Sequence, residues 1–136
     1  MMKSDIKNRT DIERLVKTFY EKLLHDDEMS PLFVDVAGDH LAAHFEILYD
    51  FWESVLFFTG QYKRNTMLKH IELHDKYGLT KAHFTTWLSY FNQTVDDLFE
   101  GEKAGLAKQR ANSIAVIMEM KINEIEKQKG KFENKT

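Results

Sequence analysis

Pro31 is the only proline in 136 residues, and glycines cluster at the boundaries between segments whose apolar residues recur every three or four positions. That period belongs to helices packed along one face, and no stretch shows the two-residue alternation of a strand. Thr10 with Glu13 makes a capping-box pattern opening a first helix, whose stripe Ile12, Leu15, Val16, Phe19, Leu23 and Leu24 runs to about His25. Ser30–Pro31 reads as the cap and first position of a short turn carrying Leu32 and Phe33. A second long helix is expected from Gly38–Asp39 to Thr59–Gly60, and a short one from Thr66 to about His74. Thr80 caps a third long helix with the stripe Phe84, Trp87, Leu88, Phe91, Val95 and Leu98. The last, about Lys103 to Lys127, carries Leu106, Ile114, Ile117, Met118 and Ile125. The fold class is all-α. Residues 1–10 are expected to be a flexible segment, 11–127 the folded domain, and 128–136 a charged, disordered tail.

A chain of this size makes one domain. The net charge of −3 and the lack of a long basic stripe argue against nucleic acid as a partner. The absence of cysteine excludes disulfides, thiolate metal sites and thiolate catalysis. No apolar run reaches the length of a signal core or a membrane span, so a cytoplasmic location with no membrane contact is expected; the chain is also expected to be a monomer. Paired carboxylates, a nucleophile elbow, a phosphate loop and a metalloprotease helix are likewise missing.

Tyr20, His44, His70 and Trp87 sit within apolar stripes, and a polar side chain is costly to bury without a partner. A histidine in such a place is often just a core residue bonded to a carbonyl. Two metal readings compete with that one. His40/His44 and His70/His74 are each four apart, as a hemerythrin-like di-iron bundle would need, but no histidine has a carboxylate four residues later. The other reading is haem, with His70 binding iron from one side while Tyr20, His44 and Trp87 face the opposite side. Phe33, Phe45, Leu48, Phe51, Met67 and Phe91, with Phe19, offer the large apolar slot it requires. A non-haem helical interaction or sensor module, with incidental histidines, is the alternative from a different class.

The order FYEK, PLF, AHFxxxxDFW, SVLxxTGxYxxN, MLKHIxL and HFxxWLxxF, from about Ile12 to Lys121, resembles a group III truncated haemoglobin. The resemblance implies a two-over-two helical sandwich holding haem b, iron protoporphyrin IX. It makes His70 the proximal iron ligand and Tyr20, His44 and Trp87 the distal residues. Phe33 takes the place of the phenylalanine packed on the porphyrin, and Tyr62, Arg64 and Lys69 fall where family members approach the propionates. Dioxygen, nitric oxide or carbon monoxide is the ligand implied. Nitric oxide dioxygenation or peroxidase-like turnover would call for a separate reductase.

Overall fold

The computed structural model describes residues 3–33, 41–58 and 78–133, with side chains to residue 128. Four α-helices follow in order: α1 (Arg9–Leu24), α2 (Leu41–Phe57), α3 (Lys81–Leu98) and α4 (Glu102–Glu133), with a 3₁₀ turn at Ser30–Phe33 between α1 and α2. The all-α expectation holds, with no strand among the described residues. Helix α1 packs on α2 and α3, and α4 lies along α3 and touches α2. Two helix pairs thus stack on each other. The short helix expected from Thr66 to His74 lies outside the described residues.

Helix α1 buries Ile12, Leu15, Val16, Phe19, Tyr20 and Leu23, nearly the stripe read from the sequence. Its cap is not Thr10. Asn8 has extended backbone, and its Oδ1 accepts from the Asp11 N–H at 3.0 Å. Asparagine caps as well as threonine does, so a capping-box pattern two residues further on did not decide the start. At the other end of the corner, Asp26 accepts from the N–H groups of Glu28 and Met29 and from the Tyr90 hydroxyl. This ties the turn after α1 to α3.

The seam between α3 and α4 is made of alanine. Ala104, Ala107, Ala111 and Ala115 are all buried, followed by Met118 and Ile122. Of the stripe expected from the large residues, Met118 is buried and Leu106 and Ile114 pack against the core, whereas Ile117 is 49% exposed. Small side chains bring the two helices close, and Phe91, Thr94 and Val95 of α3 are fully buried as a result. Helix α4 also runs on to Glu133, through much of the segment expected to be a disordered tail.

Residues 3–6 differ from their expectation too. They are docked rather than flexible: Ile6 is 1% exposed and the Ser4 carbonyl accepts from the Glu100 N–H at 3.0 Å. The Asp5 carboxylate accepts from the N–H groups of Lys103 and Ala104, both at 2.8 Å, and so caps α4 from the far end of the chain. A Cβ on Gly101 would lie 2.6 Å from Asp5 Cγ, which is why the residue before α4 is glycine. Partial burial opposes the Asp5 charge, but the Lys103, Ala104 and Ile6 N–H donors and the Lys103 ammonium outweigh it and hold the carboxyl below its usual range. A depressed carboxyl contributes stability above its unfolded-state pKa and loses it as pH falls through the folded value. Asp5→Ala should therefore cost about 1–2 kcal/mol at neutral pH, and less in acid, measured by urea unfolding. An equal cost at both pH values would refute the charge-assisted cap.

Helix α2 is followed by Phe58, a non-glycine residue at φ 57°, a backbone region that costs an L-residue roughly 1–2 kcal/mol. Lys103 offsets part of that. Its Nζ donates to the Leu56 carbonyl at 2.6 Å and sits 5.5 and 5.1 Å from the ring centroids of Phe57 and Phe58. On the outer face of α2, Arg9 pairs with Asp50 at 2.9 Å and Glu46 at 3.0 Å, pinning the start of α1.

Candidate ligand pocket

The inward face of α1 turns Tyr20 toward α2, where His44 lies one turn into the helix. Tyr20 is 6% exposed, and its oxygen is 2.7 Å from His44 Nε2. The imidazole tautomer decides which of the two donates. Burial pushes the Tyr20 phenol well above the usual tyrosine range, so it keeps its proton. Rings surround the pair. Phe33 and Phe45 both meet Tyr20 edge-on at 5.3 Å between centroids, and Phe19 does so at 5.8 Å. Edge-on pairs of this kind add about 0.5–1.5 kcal/mol each beyond their burial.

The third wall is α3. Thr80 caps it, with Oγ1 accepting from the His83 N–H at 3.3 Å while the Thr80 N–H donates to His83 Nδ1 at 3.0 Å. One turn later comes Trp87, stacked on Phe91 at 5.9 Å and 12° and met edge-on by Phe19 at 5.7 Å. Phe91 in turn stacks on Trp52 of α2 at 4.9 Å. The indole is thus held from behind by two further rings, and its N–H has no partner among the described residues.

Tyr20, Phe33 and Trp87 line one half-open cavity of about 80 Å³. Of the residues expected around a ligand, these three and His44 come together. Phe45 packs against Tyr20, and Phe91 is fully buried, supporting Trp87 rather than lining the cavity. Leu48 and Phe51 are half-buried against the core and do not line it. Tyr62, Arg64, Met67, Lys69 and His70 lie outside the described residues. Sequence reasoning missed as lining Met29 and Leu32 after α1, Leu79 just before α3, His83 and Phe84 in its first turn, and Ile114, Ala115 and Met118 of α4. Phe84 and Met118 were visible as stripe positions, and His83 as one more histidine. Nothing local marked the alanine.

The described residues hold no group of three or more histidines and carboxylates able to bind a metal ion, and His40, His70 and His74, on which the di-iron reading rests, lie outside them. No helix among them is long and apolar enough to cross a membrane.

Two helix pairs crossed in this way, with a phenol, an imidazole and an indole converging on an apolar cavity, define a shortened globin. The chain belongs to the bacterial-like globin family, whose model matches residues 5–124. It is similar to a group 3 truncated hemoglobin of Campylobacter jejuni, with 27% identity over 117 residues covering 84% of this chain and 90% of that protein. The crystal structure of a group III truncated hemoglobin from Campylobacter jejuni superposes with a TM-score of 0.79 at 26% identity, covering 89% of this chain and 95% of that one. Membership of this family implies haem binding and a diatomic gas as ligand in general terms.

The residues present fit such a group. A flat, largely apolar tetrapyrrole asks for aromatic and aliphatic walls, and Phe33, Leu79, Phe84 and Met118 supply them. A polar diatomic ligand asks for donors in a dry site, and the Tyr20–His44 pair and the Trp87 N–H supply those.

Proposed function

We propose that this chain is a haem-binding truncated globin that reversibly binds dioxygen or another diatomic ligand. The observation carrying the reading is the buried 2.7 Å Tyr20–His44 hydrogen bond, beside a cavity that Trp87 also lines. Polar groups from three helices brought together in an apolar core supply the donors that a polar ligand bound there would need. Haem b, when bound, supplies the iron at which the gas is taken up. His70 is the proposed proximal ligand, with Tyr62, Arg64 and Lys69 proposed toward the propionates. Tyr20 and Trp87 act as donors to a ligand carrying partial negative charge. His44 shares its hydrogen bond with Tyr20 and so sets how the phenol is aimed. Turnover of nitric oxide or peroxide would draw electrons from a separate reductase.

An absorption scan of the purified chain, supplemented with haem during expression, tests this. We expect a Soret band that shifts on dithionite reduction and again on adding carbon monoxide. A folded, colourless chain that takes up no added haemin would instead support a helical interaction module.

A further inference from the structure

His83 occupies the third position of α3, where a capping box ordinarily carries glutamate or glutamine. Either would complete the cap, so the cap alone does not explain an imidazole there. The geometry fixes its proton. Nδ1 accepts the Thr80 backbone N–H at 3.0 Å, and Thr80 Oγ1 is 3.2 Å from the same nitrogen. A nitrogen that accepts an N–H carries no proton, so the neutral ring is held with hydrogen on Nε2. His83 lines the cavity, and with Nδ1 turned back to the cap the edge of its ring left free for a ligand bears Nε2–H. That N–H has no partner among the described residues.

Among the described residues, three lining side chains carry a nitrogen or oxygen: Tyr20, His83 and Trp87. Tyr20 is joined to His44, and Trp87 stands against Phe19 and Phe91. His83 is half-buried, one turn nearer the start of α3 than Trp87, and Phe84, Leu79 and Met118 beside it are apolar. It is a fixed donor in an otherwise greasy stretch of wall. The strong acceptors on a haem are the two carboxylates at its edge, since its faces and remaining substituents are apolar. We propose that His83 donates its Nε2–H to a carboxylate of the bound tetrapyrrole, a role that rests on the haem reading above. It would do so from α3, an element separate from the segment holding Tyr62, Arg64 and Lys69.

The test separates the cap from the donor. His83→Glu keeps a capping-box acceptor but replaces the donor with a negative charge, and His83→Gln keeps both an acceptor and an N–H. The full chain and both variants are titrated with haemin and with haemin dimethyl ester, following the Soret band and tryptophan quenching. Because both variants complete the cap, their thermal midpoints should stay near that of the parent. For haemin, His83→Glu should weaken binding about tenfold or more, as expected for losing a charge-assisted hydrogen bond, and His83→Gln much less. For the ester, all three chains should bind alike. Equal haemin affinity in the parent and His83→Glu would overturn the proposal. So would the same loss with haemin and ester, which would mean that the ring acts by packing. If the parent takes up neither, the haem reading itself falls, and the role of His83 with it.

Discussion

His70→Ala should leave a chain with the helical circular dichroism of the parent but no Soret band under conditions that load the parent with haem. If His70 holds the iron as proposed, removing its imidazole would remove that bond to the protein. The core around α1, α3 and α4 lies among Leu15, Phe91, Val95 and Ala107, all of them essentially inaccessible to solvent, so the apoprotein should stay folded. His70→Gly adds a stronger version of the test, because free imidazole can enter the space left by the side chain. Restoration of the absorption spectrum by imidazole, and not by a similar concentration of pyrrole, would identify the missing group as a ligand. Normal absorption in His70→Ala without imidazole would remove position 70 from the site.

Replacing Tyr20 and Trp87 together by phenylalanine should speed dioxygen release roughly ten- to hundredfold and change carbon monoxide release little. Each hydrogen bond to a partly charged ligand contributes about 0.5–1.5 kcal/mol, so two lost donors account for that range. Carbon monoxide carries little charge and gains little from the same donors. Flash photolysis and stopped-flow displacement measure both gases on one preparation. Equal acceleration of both would show that the rings act by bulk alone. The single variants should not add simply. Tyr20→Phe also releases His44 from its 2.7 Å bond, while Trp87→Phe leaves that pair intact and keeps the stack on Phe91. The high Tyr20 pKa adds a check: burial keeps the phenol protonated, so its donor function should persist into alkali where an exposed tyrosine would ionise.

What the sequence allowed to be read, and what it hid, divides along physical lines. The long helices were legible because burial of one face imposes a period, and α1 shows this residue by residue. The positions of Tyr20, His44 and Trp87 were legible because a polar group in an apolar stripe stands out against its surroundings. Three things were hidden. The cap of α1 could be Asn8 or Thr10, since both are good caps and only the backbone angles decide between them. The cap of α4 comes from Asp5, nearly a hundred residues earlier, and no local pattern carries a contact of that range. The inner face of α4 is alanine, so a search for large apolar residues put Ile117 on the inside, where the packing has it half exposed. Likewise, His83 looks incidental as one histidine among six and gains meaning only with Thr80 and the cavity in place.

The alanine seam also decides which part of the pocket can yield. Alanine has no rotamers, so the close spacing of α3 and α4 that these residues set cannot widen except by parting two whole helices. The freedom of the cavity lies instead in Met29 and Met118, the two unbranched side chains on its lining, which have torsions to spend. Compliance in this protein is therefore a matter of side chains: the outer limit on size is set by a stiff helix pair, and adaptation to what enters falls to the two methionines.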